Sequence, residues 1–354
     1  MTELTSSRKL DHLRLARDAD VTFGDAGFDD IILKHNALPE CSLDEIDTSA
    51  GLFDRRFSLP LFIEAITGGH PDTREVNRVL AAAAEKYTIP MGVGSQRAAL
   101  ENPALADSFT IVRDTAPHAF LCANLGAVQL VQHGMEWVDQ AVEMIEADAV
   151  CIHLNFLQEA LQPEGDHDAR GVLSAVAEAC RESKVPVIVK ETGCGISDDV
   201  IDKFITDTQE FAQYPSAFDI GGFGGTSWAK IEGLRAAGDK TLESASRTFL
   251  NWGIPTVVSI FEVANSTLCP VIASGGLMSG LDIAKALAIG ADFTGMALRL
   301  VKPALSGEAA LNDTIEQLRR ELKTAMFLTG SKNITALQDA AYYVTGRVRE
   351  MTRR

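Results

Sequence analysis

None of the six cysteines (Cys41, Cys122, Cys151, Cys180, Cys194 and Cys269) forms a CxxC pair. Neither a thiolate zinc site nor a disulfide framework is indicated, and a reducing cytosol is the expected compartment. Cys122 and Cys151 fall in apolar runs and read as core. Cys194 lies in a glycine turn with no base nearby to make it a nucleophile. No apolar run reaches membrane-spanning length, and no signal-peptide apolar region opens the chain. Cations are scarce, with 32 Lys and Arg against 49 Asp and Glu, a net charge of −17. That excludes nonspecific nucleic-acid binding. It also requires any bound polyanion to find a local basic patch in an acidic molecule. No histidine follows His167. There is no low-complexity linker and no sign of a second domain. What is there is ordinary for a globular protein: 354 residues, 46% hydrophobic and 23% charged.

Eight short apolar runs recur along the chain, at 61–66, 90–94, 119–124, 149–155, 185–191, 217–221, 271–274 and 292–295. Most are apolar on both faces and rich in Val or Ile, as in a parallel sheet buried on both sides. Helical patterns fall between them at 73–86, 102–114, 137–146, 170–183, 197–211, 256–264 and 281–289, and Pro255 is placed to open the sixth of these. Eight strand–helix alternations predict an α/β fold, a closed (β/α)8 TIM barrel spanning 60–305. Residues 1–59 form an extension ahead of it, and 306–354 read as amphipathic helices behind it, the whole being one domain. Residues 156–170 after the fourth strand read as a long polar loop, and 226–254 enlarge the connection after the sixth.

Three glycine turns end late strands: 219–226 with Gly221, Gly222, Gly224 and Gly225, then Ser274-Gly275-Gly276-Leu277, then Gly295-Met296-Ala297. Glycine lets backbone amides approach and point at an anion. Several such turns on successive strands predict a phosphate-bearing cofactor or substrate at the catalytic face. The other strand ends offer Thr67, Ser95, Gln96, Arg97, Asn124, His153, Asn155, Lys190 and Glu191. Lys190 after Val187-Ile188-Val189 is a poor core residue, because a buried amine must be paired. A lysine there can donate to a flavin ring or form a Schiff base. The phosphate turns and the neutral partners Asn124 and Ser95 favour the flavin. His153 and Asn155 share a strand face, and Gln158 and Glu159 then start the long loop. Glu159 has no acidic partner in this stretch, so it holds Mg²⁺ only if a substrate phosphate completes the shell. Arg8-Lys9 with His12 suit diphosphate contact; by composition alone they read as a solvated head.

In this order the motifs resemble one family. They are Arg8-Lys9 with His12; Phe28-Asp29-Asp30; His35 to Glu40; Thr67-Gly68-Gly69; Gly94-Ser95-Gln96-Arg97; Ala123-Asn124-Leu125-Gly126; His153-Leu154-Asn155 with Gln158-Glu159; Lys190-Glu191; Gly224 to Trp228; and Ala273-Ser274-Gly275-Gly276. The set resembles type 2 isopentenyl diphosphate isomerase, the FMN-dependent form, over most of the chain. The resemblance implies interconversion of isopentenyl and dimethylallyl diphosphate in isoprenoid synthesis. It also implies a cytoplasmic homo-oligomer, a tetramer or octamer, with no nucleic-acid or membrane partner. It implies FMN, Mg²⁺, and NADPH used only to reduce the flavin. FMN would contact Ala65, Ile66, Thr67, Ser95, Asn124, Lys190, Thr226, Gly275, Gly276, Leu277, Met296 and Ala297. Arg8, Lys9, Arg97, His153, Asn155 and Gln158 would contact substrate, with His153 and Gln158 catalytic, and Glu159 would bind Mg²⁺.

Two departures stand out. The family usually has Arg where this chain has Met278, and Ser and Arg where it has Gly221 and Phe223. Two other readings stay open. One is an FMN-dependent 2-hydroxy-acid oxidase or dehydrogenase, whose late His base and carboxylate-binding Arg are missing from the late strand ends. The other is a barrel that has lost its cofactor.

Overall fold

A computed structural model describes residues 2–208, 214–236 and 238–352; the side chains of 2–9, 207 and 208 lie outside the described set. Eight parallel strands close a barrel: Leu61–Ile63, Met91–Gly92, Leu121–Gly126, Ala149–Leu154, Val187–Glu191, Ala217–Asp219, Val271–Ser274 and Phe293–Met296. The eighth strand pairs with the first, Gly295 opposite Phe62, and so completes the ring. All six residues of the third strand are buried, which is what an apolar run with helices outside and barrel core inside requires. The fold is the expected TIM barrel. The first two strands are shorter than their apolar runs, and the third extends two residues further, to Gly126.

The helices follow the predicted pattern with shifts of a few residues at their ends, and Thr256–Ala264 falls where Pro255 places it. The predicted helix 197–211 is seen as Asp198–Thr208, and its last residues lie outside the described set. Two stretches differ in kind. Residues 156–170 do not run as loop from the start, because Phe156–Leu161 form a helix. Leu161 anchors that helix in the interior, so Gln158 and Glu159 sit on a helical turn. The connection after the sixth strand carries two helices, Trp228–Arg235 and Lys240–Thr248.

The extension closes the amino-terminal end of the barrel. A hairpin pairs Ala50–Leu52 with Arg55–Phe57. The Phe57 ring meets Phe120 and Phe293 edge-on at 5.7 and 5.6 Å, just where the third and eighth strands begin. Such pairs favour edge-to-face geometry and add to the burial itself. With that end filled by aromatic rings, the opposite end is left for a site. Residues 2–18 form a helix, not the unstructured head that composition suggested, and Leu13 buries its side chain in the core. Behind the barrel, helix Glu308–Thr329 packs on Gly280–Ala288 and Leu298–Ser306. Beyond it, Tyr342–Val344 pairs antiparallel with Ile31–Leu33. That strand was not expected in a tail read as helical. Among the described residues no helix is long and apolar enough to cross a membrane.

Candidate active site

A cavity of about 440 Å³ opens at the carboxyl ends of the barrel strands. Its floor is a buried ion cluster. Lys190 lies in register with Asp219 on the next strand. Its Nζ stands 2.5 Å from Asp219 Oδ2 and 2.8 Å from Glu64 Oε2, the residue that follows the first strand. The Asp219 contact is a hydrogen bond; the Glu64 contact is an ion pair without hydrogen-bond alignment. Asp219 also accepts from the Ser274 hydroxyl, which itself accepts from Gly221 N at 3.2 Å. A Cβ on Gly295 would meet Glu64 Oε1 at 1.8 Å, so only glycine there admits the carboxyl.

Burial and the neighbouring Asp219 raise Glu64 to about 8, against the pull of Lys190. Burial alone would lower the Lys190 ammonium, but Asp219 and Glu64 more than reverse that and its pKa is raised. The cluster therefore sets Lys190 between two buried carboxyls, hydrogen-bonded to Asp219, with burial and Asp219 working against the charged form of Glu64. Next to it, Glu191 takes amide hydrogens from Gly193, Cys194 and Gly195 at 2.5–3.0 Å. Burial nevertheless pushes its carboxyl up to about 7. Burial also drives the Cys194 thiol up to about 12, which leaves it inert as a nucleophile.

One wall is built by the glycine turns. A Cβ on Gly225 would come within 2.3 Å of Gly276 N, and one on Gly275 within 2.1 Å of Gly222 O. The first two turns pack backbone on backbone. Among the described residues the amides of Gly225, Gly276, Leu277 and Ala297 take no hydrogen-bond partner. Helix Leu298–Ser306 starts at the same wall. The other wall carries polar side chains. His153 Nδ1 lies 2.8 Å from Asn124 Oδ1, and Asn124 Nδ2 donates to Val93 O. Asn155 Nδ2 donates to Gln158 Oε1 at 3.1 Å and to Glu159 Oε1 at 2.8 Å. Glu159 Oε2 accepts from Gln162 and from the Asp166 amide. Arg97 is held between Glu101 and Asp166.

Glu232 ties the amino-terminal helix to this wall. It accepts from Gln158 Nε2 at 3.2 Å, lies 3.1 Å from His12 Nε2 and pairs with Arg235. His12 also meets the Trp228 ring edge-on at 5.0 Å. Burial acts to raise Glu232, but His12 and Arg235 hold it below the usual carboxylate range.

The cavity gathers Ala65, Ile66, Ser95, Arg97, Asn124, His153, Asn155, Gln158, Glu159, Lys190, Thr226, Gly275, Gly276, Leu277, Met296 and Ala297. Thr67 does not line it. Thr67 is buried behind the rim, where its carbonyl accepts from Gly94 N. The side chains of Arg8 and Lys9 lie outside the described residues. Residues that sequence reasoning missed are Glu64, Asp219 as the lysine's partner, and Glu232. The available signal was an acid following an apolar run at Glu64, and one closing a run at Asp219.

Residues 252–344 match the family of FMN-dependent dehydrogenases. The isopentenyl-diphosphate delta-isomerase of Methanoregula boonei is 55% identical, the match covering 98% of this chain and 96% of that one. The chain belongs to the isopentenyl-diphosphate delta-isomerase family. The protein of that name from Archaeoglobus fulgidus is 48% identical over 98% of each chain. A mandelate oxidase carrying an FMN adduct superposes with a TM-score of 0.58 at 15% identity, covering 97% of this chain and 96% of its own; that likeness concerns the fold alone. The match at 252–344 marks this as the FMN-dependent type of isopentenyl-diphosphate delta-isomerase. In this family member the cavity fits FMN on two observations: a glycine cradle that any Cβ would fill, with amides free for a phosphate, and a buried lysine lining the same cavity. Mg²⁺ has no ready-made cage, since among the described residues no group of three His, Cys, Asp or Glu could hold a metal. Glu159 could contribute one oxygen, with the rest supplied by substrate and water.

Proposed function

We propose that this chain interconverts isopentenyl and dimethylallyl diphosphate, with FMN in the cavity and Mg²⁺ on the diphosphate. The observation that carries the reading is the joining of a glycine phosphate cradle, buried Lys190 and the His153–Asn155–Gln158–Glu159 wall in one cavity of a family member. FMN, when bound, supplies proton donor and acceptor positions beside an alkene that has no polar handle. The glycine turns and Ala297 hold the cofactor phosphate, while Lys190, Asn124 and Ser95 face the ring. Arg97, His153, Asn155 and Gln158 hold and orient the substrate, whose diphosphate gives the binding energy that positions a featureless prenyl chain. Glu159 takes the metal. NADPH enters only as reductant of FMN. A cytoplasmic homo-oligomer, tetramer or octamer, completes the reading.

Anaerobic incubation with reduced FMN, Mg²⁺ and isopentenyl diphosphate should produce dimethylallyl diphosphate signals in the NMR spectrum. Omitting the flavin should abolish them. Turnover without flavin would refute the cofactor role, and full activity in excess chelator would refute the metal. Glu159→Gln should raise the Mg²⁺ requirement with FMN binding intact.

Arg8 and Lys9 are proposed to close over the diphosphate. A charge-assisted phosphate contact contributes roughly 1.5–3 kcal/mol, so Arg8→Ala or Lys9→Ala should raise KM about ten- to a hundredfold. FMN affinity should hardly move. Parental kinetics in both variants would defeat this role and leave the flavin barrel standing.

A further inference from the structure

Five cationic or imidazole side chains line the cavity, and four are committed to polar partners on the protein. Lys190 is paired with two carboxylates, Arg97 with Glu101 and Asp166, His12 with Glu232, and His153 contacts Asn124. Arg299 differs. Among the described residues no carboxylate lies within ion-pair distance of it. Its Nε donates to Met278 O at 3.2 Å and its Nη2 to Gln317 Oε1 at 3.3 Å, both long and both to neutral acceptors.

Its position is specific. Arg299 is the second residue of helix Leu298–Ser306, whose amino terminus meets the cavity beside the partnerless amides of Gly276, Leu277 and Ala297. The bond to Met278 O lays its guanidinium against the end of the second glycine turn. The cradle runs short of donors there. The amides of Met278 and Ser279 both go to Asp282 Oδ2, which caps helix Gly280–Ala288, and the Met278 side chain is exposed and uncharged. In a molecule of net charge −17, a dianionic phosphate at this wall needs a local cation. The planar fork of arginine matches phosphate oxygens two at a time.

We propose that Arg299 is the charge partner of the FMN phosphate and makes this cavity select FMN over riboflavin. The assignment rests on the flavin reading of the cavity.

Fluorescence-quenching titrations with FMN and with riboflavin separate the two ideas. The parent should bind FMN at least about tenfold tighter than riboflavin. Arg299→Gln should weaken FMN about ten- to a hundredfold and leave riboflavin within about twofold. Arg299→Lys, which keeps the charge without the fork, should fall between. Riboflavin affinity reports that the variant is folded. Unchanged FMN affinity in Arg299→Gln would overturn the proposal, as would equal weakening of both flavins, which would mark a structural role. A parent that binds neither flavin would overturn the cofactor reading and this assignment with it.

Discussion

Replacing Lys190 by Met should lower the stability of the flavin-free protein by about 3–5 kcal/mol, because removing one partner of a buried ion pair strands the other. The stranded group is Asp219, which keeps only the Ser274 hydroxyl, deep in the barrel. Glu64 should be stranded less, since burial and Asp219 already raise it to about 8 and favour its neutral form. Urea unfolding should therefore show Lys190→Met rescued more by Asp219→Asn than by Glu64→Gln. A Lys190→Met protein within 1 kcal/mol of the parent would sink the argument. Glu64 also has a pH consequence. Its folded pKa lies above the ordinary value of 4.5, so the folded state holds more protons, and stability falls as pH rises between about 4.5 and 8. The slope from one group is at most about 1.4 kcal/mol per pH unit. Glu191, raised to about 7, adds a slope of the same sign from 4.5 to 7. Glu64→Gln should remove its own share, flattening the stability curve relative to the parent most clearly between pH 5 and 8.

Gly225→Ala should abolish detectable FMN binding at micromolar flavin while leaving most of the fold in place. The new Cβ would stand 2.3 Å from Gly276 N and 2.8 Å from Gly276 Cα, both backbone, so the two turns must part to admit it. Overpacking of this kind costs typically 1–3 kcal/mol, and here the displaced backbone is the proposed phosphate cradle itself. Gly171→Ala is the contrasting case. Gly171 has φ +81° and nothing nearer than Val131 at 3.7 Å, so alanine there strains only its own backbone, by about 1–2 kcal/mol. It should lower stability with FMN affinity unchanged. FMN titration of both variants checks the pair: equal flavin affinity in Gly225→Ala and the parent would show that the turns do not hold the phosphate.

The barrel was legible because each strand must be apolar on both faces, so its run announces itself without knowledge of its neighbours. Strand ends were legible for the same reason, since a polar group closing such a run, as Lys190 does, must be paired at a site rather than packed in the core. What was not legible depends on closure. Glu64, Lys190 and Asp219 come together because the first, fifth and sixth strands face one interior, and no sequence spacing encodes that meeting. Glu232 meets Gln158 and His12 across 74 and 220 residues, with no local pattern to mark it. The helix at 156–161 was hidden by its brevity, six residues running straight into a polar loop. The strand at 342–344 was hidden because three residues carry too little alternation to read.

That last strand has a temporal consequence. Residues 31–33 find their strand partner at 342–344, and Asp30 is engaged by the amide of Val348. At ordinary elongation rates of about 5–20 residues per second, roughly 15–60 s separate the synthesis of the two strands. Throughout that interval residues 31–33 have no strand to pair with, although the chain just before them can already meet Gly225, Thr226 and Val257. The ribbon works as a late clasp: it can close over residues 31–33 only when the chain is nearly complete.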